Sequence, residues 1–578
     1  MVFQFIYIRF NFYNMESVQL SNKEVSLLFK TLSGLMELHN ENPFKTKSYA
    51  NAAFNIGRVS ESVMKMNEQE LEALPGIGKS VASKIIELQQ TNTIQVLEQL
   101  LDKTPEGVLE MMRIKGIGGK KAAVIWNELG IETVGELLYA CYENRLTKLK
   151  GFGEKTQEAI IKVIEYYQNN IGKFHFATLD NLSKEIIEEI STKTKSRCEL
   201  VGDIRRKCNI LENIEILIAL DSDKIKNLSS LIKTLTDWEL NENIWRAKTT
   251  SNIPVIMYCV SPSEFPIAKF ENSGSQAHVI AVKEKFDTWP PSINSEQEIY
   301  AMAGLPFIPA EMRDIDLSEI DLSNFSTENL IEAADIKGVI HNHSTWSDGK
   351  HSLEEMANAC IKNGYEYLVI SDHSKTAVYA GGLTIDQVIA QHEQIDALNK
   401  KLSPFKIFKS IESDILNDGS LDYPDEVLKK FDLIIASVHQ NLRMDIEKAT
   451  TRLLLAIENP FTTILGHMTG RLLLSRPGYP VDHKKIIDAC AANQVVIEIN
   501  ANPYRLDIDY TWIPYAMRQG VKISINPDAH STEGIGDIYY GVCSARKGGL
   551  TKSMTLNTLS LQEFSAFIEN RKQIKGIS

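Results

Sequence analysis

GVIHNHSTWSDG, residues 338–349, runs a short apolar strand-like stretch into two histidines and places an aspartate five residues beyond the second. Six further runs share its texture: YLVISDH (367–373), KIFKSIE (406–412), LIIASVH (433–439), TTILGH (462–467), VVIEIN (495–500) and VKISINPDAH (521–530). Each is rich in β-branched and aliphatic residues, and helix-length intervals separate them. Seven strands alternating with helices are βα units, which close into a parallel sheet or barrel.

Six of the seven runs end in His, Asp or Glu. The set comprises His341, His343 and Asp348, then His373, Glu412, His439 and His467, and finally Asp528 with His530. In a βα barrel the carboxyl ends of the strands converge on one face. Nine nitrogen and oxygen donors meeting there need more than one cation to neutralise and order them, so the pattern predicts a multinuclear centre. Imidazole and carboxylate without thiolate suit Zn, Mn or Fe better than Mg or Ca. Paired cations of this kind activate water and clamp the attacking and leaving oxygens of a phosphoryl displacement. Of the 12 histidines in the chain, His351, His392 and His483 fall in helix-like or loop contexts and are read as surface residues.

Outward from this block, the 578 residues suffice for several domains, and 43% hydrophobic with 24% charged residues is ordinary globular usage. A net charge of −13 excludes retention on nucleic acid by bulk charge, so any such contact is local. The seven cysteines form no CxxC pair, which fits a reducing cytoplasm. The opening MVFQFIYIRFNFYN carries Arg9 and is too short to span a bilayer. It reads as a tail or a mis-assigned start, residues 1–14, and no membrane association is expected.

Residues 20–170 show helical periodicity and one phrase repeated three times: LPGIGKSVA from Leu74, IKGIGGKKA from Ile114 and LKGFGEKTQ from Leu149. Two glycines around an apolar residue let a turn expose backbone N–H groups at the start of the next helix, a small anion site. Gly76, Gly78, Gly116, Gly118, Gly151 and Gly153 supply the turns. Lys79, Lys84, Lys120, Lys121 and Lys155 stand where they could neutralise phosphates. Residues 16–170 hold 18 basic against 20 acidic side chains, so modest affinity is expected. The phrase resembles the helix-hairpin-helix motif, which grips the DNA sugar-phosphate backbone without reading sequence.

Residues 175–315 mix helices with β-rich runs, IEILIAL at 214, IPVIMYCV at 253 and AHVIAV at 277, and read as an α+β unit. An acidic, weakly periodic connector follows, 316–334.

The block from 335 to 570 resembles the PHP domain, a distorted (β/α)7 barrel. The resemblance implies a trinuclear centre of Zn or Mn held by the nine residues above. GHMTGRLLLSR (466–476) is similar to a family segment and offers Arg471 for phosphate; NANPYRLDI (500–508) offers Arg505. Asp372 is a candidate for orienting His373.

The front half resembles family X DNA polymerases. FKTKSYANAA (44–53) and LPGIGK are similar to their 8-kDa domain, and SGSQAHV (273–279) and EIYAMAGLPFIPAEMRD (298–314) to their thumb. The resemblance implies a helix-hairpin-helix domain at 15–95, a fingers-like domain at 96–172, a palm at 173–244, and a palm strand with thumb at 245–315. Nucleotidyl transfer in that family uses three palm carboxylates. Here those positions hold Asn213, Glu215 and Ile256, and VGDIRRK places Asp203 where a serine would meet the triphosphate. Two cations on a triphosphate need several anionic ligands, so synthesis is expected to be absent or negligible. Glu212, beside Asn213, is the acid that could have taken over. Lys84 occupies the place of a lyase amine, but Schiff-base chemistry needs a depressed pKa, and a phosphate or surface role is read instead.

The whole reads as a multidomain DNA-binding, metal-dependent phosphoesterase of repair. A 3'-5' exonuclease is expected, with 3'-phosphatase or abasic-site nuclease as variants. It would work as a cytoplasmic, nucleoid-associated monomer on nicked, gapped or 3'-ended DNA. The alternatives are a bifunctional polymerase/exonuclease and a small-molecule phosphatase of the histidinol-phosphatase type.

Overall fold

The computed structural model describes residues 20–577 except 60, 115, 143–144, 169, 221–227 and 291. The aromatic opening segment lies outside the described residues. The chain divides into two compact units after Ile171.

The described part of the first unit is helical. Its first helix, Asn22–Leu38, starts at a Ser21/Glu24 capping box and buries Val25, Leu28, Phe29, Leu32 and Leu35 along one stripe. The three repeated phrases fold alike. Gly76, Gly116 and Gly151 take φ of +75°, +98° and +90°, a region open to glycine at little cost. The apolar residue after each (Ile77, Ile117, Phe152) is buried in the shared core. The next glycine leads into a helix: Lys79–Thr91, Gly119–Leu129 and Glu154–Gln168.

The second unit opens on a helix, Phe176–Thr194, and strands β1 (Phe174–His175), β2 (Cys198–Val201), β3 (Ile210–Leu211), β4 (Ile214–Ala219), β5 (Leu235–Asn241), β6 (Ile244–Thr249) and β7 (Pro254–Val260). Among the described residues β1 pairs with β3 alone, and the other five form a mixed sheet ordered β2-β4-β7-β6-β5. AHVIAV, read above as β-rich, is instead part of the helix Gln276–Lys283, capped by the Ser275 side chain. A short apolar run does not by itself separate a buried helix from a strand. Beyond it Arg313, wholly buried, donates to Glu296 Oε1 at 2.6 Å and to the Ile308 carbonyl at 3.0 Å. Arg205, at the end of the short helix Gly202–Arg205, binds the same carboxylate, so a buried ion-pair network joins this helix to the segment from Glu296 to Arg313.

The connector is packed rather than free. It runs through short 3-10 turns, and Leu317, Ile320, Leu322 and Phe325 lie against the core around Phe270 and Tyr300.

The seven runs of the final block become β8 (Gly338–Asn342), β9 (Tyr367–Ile370), β10 (Lys406–Asp414), β11 (Leu433–Ser437), β12 (Ile464–Leu465), β13 (Val496–Asn500) and β14 (Ile523–Asn526). They are parallel and in sequential order, and a parallel bridge between Asn342 and Ala529 brings the two edges together. Alternate side chains face opposite ways. Val339, Leu368, Ile407, Ile434, Leu465, Ile497 and Ile523 belong to the large cluster that includes residues of the outer helices. Ile340, Tyr367, Phe408, Leu433, Ile464 and Val496 form a second cluster with Phe564 and Ile568 of the C-terminal helix Leu561–Ile574. The Phe564 ring stacks on Tyr367 at 4.5 Å. One end of the barrel is therefore a closed apolar plug, and the other is left for polar groups. His392 is not a surface residue. It is buried against Phe431, with ring centroids 4.9 Å apart, because the helix Ile385–Leu402 turns that face inward.

Candidate metal centre

All nine donors named from the sequence meet at the carboxyl mouth of the barrel. Glu412 is their hub, because the period of two on β10 points Phe408, Ser410, Glu412 and Asp414 the same way. Its Oε1 faces Nε2 of His341, His439 and His467 at 3.3, 3.1 and 3.0 Å. Its Oε2 faces His343 and His373 at 3.7 and 3.0 Å. Asp528 Oδ1 lies 3.0 Å from His343 Nε2. Asp348 Oδ1 lies 3.6 Å from His373 and 3.4 Å from His530.

Strand alternation alone would not have brought His341 here. It follows the inward-facing Ile340, yet a register shift on β8 between Val339 and Asn342, with His341 at φ +64°, turns two successive side chains inward. Asp528, at φ +52°, enters from the opposite edge. Left-handed backbone at a non-glycine residue costs on the order of 1–3 kcal/mol, and His341 and Asp528 are two donors that carry it.

Eight of the nine donors, all but His467, fall into three groups that could each hold a metal ion: His343, Asp348, His373 and His530; His341, His343 and Asp528; and His373, Glu412 and His439. Among the described residues no such group lies elsewhere. The buried imidazole atoms His341 Nε2, His343 Nδ1, His373 Nδ1 and His467 Nδ1 have no hydrogen-bond partner. Unpaired nitrogens and bunched carboxylates are costly in an interior and fit a divalent-metal site.

Protein charges alone polarise the cluster strongly. Burial would raise the Glu412 carboxyl, but His439, His341 and His373 outweigh it and hold it well below the usual range. Burial would likewise raise Asp528, and His341 and His343 pull it well down. Burial together with His530 and His373 pushes His343 down to about 4, so its ring is neutral, as metal ligation requires. For His439 burial acts downward, and Glu412 and Asp414 raise it to about 10.

The sequence reading missed two carboxylates. Glu498 lies in VVIEIN, the one run that does not end in a donor, and is fully buried. It accepts from His341 Nδ1 at 2.6 Å, from the Asn526 amide at 2.7 Å and from the His467 backbone N–H at 3.1 Å. Asp414, two residues beyond Glu412 on the same face, is bonded to His439 Nδ1. Each leaves the other ring nitrogen toward the centre. An acid inside an apolar strand run was the available signal for Glu498, and the i+2 spacing for Asp414.

Two expected roles do not match the geometry. Asp372 is not on the His373 ring. It accepts from Ser344 N–H and Oγ at 2.8 and 2.7 Å and from Gln391 at 2.6 Å, bracing the loop between His343 and Asp348. Arg471 does not point at the centre. It donates to Asp509 at 2.6 Å, to the Arg505 carbonyl at 2.9 Å and to the Leu506 carbonyl, because that segment folds back over it. Arg505 is the guanidinium beside the donors, with Nε 3.8 Å from Asp528 Oδ2.

In the palm, β4 and β7 pair in parallel with Glu215 opposite Ile256, and Asn213 just precedes β4. Glu215 accepts from the Tyr258 hydroxyl at 2.8 Å, and burial raises its pKa. Glu212 is exposed, 3.8 Å from Lys173. Arg205 is held by Glu296 and Ser273, and Arg206 by Asp203 and Asp314.

At the glycine turns, a Cβ at Gly78, Gly116, Gly118, Gly151 or Gly153 would meet nothing within 4 Å, leaving open space for a backbone ligand. At Gly76 it would strike Asn55. Lys79, Lys120 and Lys155 are exposed. Lys121 folds back onto the Gly116 carbonyl at 3.0 Å, and Lys84 is paired with Glu87 in its own helix.

A seven-stranded parallel barrel with this donor cluster at its mouth defines the class of PHP-domain proteins, and residues 340–502 match that family as the PHP domain. Residues 21–94 match the helix-hairpin-helix domain and 108–165 the SAM-like helix-hairpin-helix tandem. The chain is 34% identical over 576 residues to the DNA polymerase/3'-5' exonuclease PolX of Bacillus subtilis (strain 168), covering 95% of this chain and 99% of that protein. It belongs to the PolX family. A 247-residue stretch is 27% identical to a probable phosphatase of Thermoanaerobacter sp. (strain X514), covering 41% of this chain and 96% of that protein. A 248-residue stretch is 27% identical to one of Caldanaerobacter subterraneus subsp. tengcongensis, covering 41% and 92%.

Proposed function

We propose that this chain is a DNA-binding, metal-dependent phosphoesterase that shortens DNA from its 3' end in repair, with a palm that no longer synthesises. The observation that carries the reading is the convergence of Glu412 and eight other donors at the barrel mouth. His341, His343, Asp348, His373, Glu412, His439, His467, Asp528 and His530 are assigned as ligands. Three overlapping donor groups support three cations, Zn or Mn by ligand type. Bound divalent cations supply water activation and charge neutralisation at the phosphate.

The remaining work falls to side chains of the protein. Glu498 and Asp414 fix the tautomers of His341 and His439, Asp372 holds the Asp348 loop, and Arg505 meets the phosphate with Arg471 bracing its segment. The glycine turns, with Lys79, Lys120 and Lys155 nearby, grip the sugar-phosphate backbone of nicked, gapped or 3'-ended DNA. In the palm, Asn213 is uncharged, Ile256 offers no ligand, and Glu215 is occupied by Tyr258, so the cations of nucleotidyl transfer lack anionic partners. Lys84, paired with Glu87, is a surface residue rather than a lyase amine. The expected setting is the cytoplasm, with the chain acting as a monomer at the nucleoid.

The test is a denaturing gel of a 5'-labelled, gapped and 3'-recessed DNA with Mn, Mg or Zn, with and without dNTPs. Shortening that dNTPs do not affect is the expected result. Lengthening with dNTPs would overturn the inactive palm, and an unchanged strand with every metal would overturn the nuclease. Strands ending in 3'-phosphate or carrying an abasic site show which further phosphoesters are accepted.

A further inference from the structure

The loop between His373 and the helix Ile385–Leu402 has a firmly held backbone, yet it turns Val378 and Tyr379 to solvent. At its start Thr376 Oγ1 donates to Asp414 at 2.6 Å and its N–H to Asp422 at 2.7 Å, while its carbonyl accepts from Gln440 at 2.8 Å. At its end the Leu383 N–H donates to the His373 carbonyl at 2.9 Å. Gly382 lies so close to the Ser374 carbonyl that a Cβ would sit 1.9 Å from it. Ala377 and Ala380 are buried between these anchors, whereas Val378 is 80% and Tyr379 58% exposed.

Single exposed apolar residues are common and carry no message. This pair differs in place and support. The Tyr379 ring centroid is 6.1 Å from that of His373, beside the mouth, where Asp348 and His530 are the donors most open to solvent. A nucleoside attached to a phosphate held among the donors would extend outward through that mouth, where the ring stands. An aromatic face takes any base, because every base has a π-face, and a pre-anchored loop gives up little further freedom on contact.

We propose that Tyr379, backed by Val378, is a stacking platform for the base of the nucleotide whose phosphate occupies the metal centre. It rests on the phosphoesterase reading and names the substrate class: nucleoside phosphates, irrespective of base, in preference to base-free sugar phosphates. Tyr379 touches the substrate and positions it, and no proton or bond passes through it.

The experiment is calorimetric titration of the Mn-loaded full-length chain with 2'-deoxyadenosine 5'-monophosphate and with 2-deoxyribose 5-phosphate. The wild type binds the nucleotide about tenfold more tightly than the sugar phosphate, the size expected of one stacked base. Tyr379→Ala brings the ratio close to one, and Tyr379→Phe keeps it, since the ring and not the hydroxyl does the stacking. On a 3'-ended oligonucleotide Tyr379→Ala raises KM about tenfold with little change in kcat, the mark of lost uniform binding. A wild-type ratio near one, or a ratio that Tyr379→Ala leaves intact, would overturn the platform. The preference persisting on a chain that leaves every oligonucleotide uncut would sink the nuclease reading and spare the platform.

Discussion

The barrel mouth and the palm both have strand positions where their families place metal-binding side chains, and this chain treats the two in opposite ways. The barrel crowds carboxylates and imidazoles into a buried cluster, with unpaired nitrogens and left-handed backbone at His341 and Asp528. The palm has Ile256 opposite Glu215, ties Glu215 to Tyr258, and locks Arg205 and Arg206 into ion pairs. Buried like charges and strained backbone are held only where the rest of the fold over-determines them. Once a position carries no metal, an apolar or internally bonded side chain is the stable choice there. On the proposed reading the palm keeps its sheet without its chemistry, while the barrel accepts local instability to gather its donors.

Glu412→Gln tests this contrast hardest. Removing the hub charge is expected to lower strand shortening by about a thousandfold or more, several kcal/mol of lost transition-state stabilisation. DNA affinity, measured by gel shift, changes only a few fold, and an active variant would mean that the centre lies elsewhere.

The acid response of the Glu296 network comes next. Burial would raise the Glu296 carboxyl, but Arg205 and Arg313 hold it down at about 2. A carboxyl depressed below its ordinary value near 4.5 contributes stability in full above that pH and loses it as the pH falls toward the folded value. The stability gap between wild type and Glu296→Gln, from denaturant melts, shrinks by roughly 3 kcal/mol between pH 5 and pH 2. A gap that does not vary with pH would remove the network from the account.

Glu498→Gln keeps the shape and removes the charge behind His341. Losses of about 10- to 100-fold in metal affinity are expected, as for other partners of metal-bound histidines, read by competition with a chelator. An unchanged affinity would show that Glu498 only packs.

The smallest effect is expected in the palm, where Ile256→Asp sets a carboxylate against Glu215. It is expected to lower stability by about 1–3 kcal/mol, seen as a fall in Tm, with no gain in primer extension. A neutral melt would mean that the palm still tolerates charge, weakening the case that it is inactive.

Much of this was legible beforehand because it rests on local rules. Period-two runs ending in donors marked the seven barrel strands and nine converging residues. The Gly-apolar-Gly phrase marked three turns whose middle residue is buried and whose first glycine is left-handed. AHVIAV was misread because six residues fit a helix as well as a strand. His392 was misread because the burial of one helix face depends on what packs against it.

By itself the sequence determined which imidazoles and carboxylates end the barrel strands and where Asn213 and Ile256 stand in place of acids, since residue type and strand order are written in the chain. Tertiary structure alone decided which groups stand behind the donors and which face them. Glu498 reaches His341 across 157 residues, and Arg471 is turned from phosphate to Asp509 by a loop that folds back over it. Side-chain direction depends on bulges, register and distant partners, and these arise only when separate segments pack together.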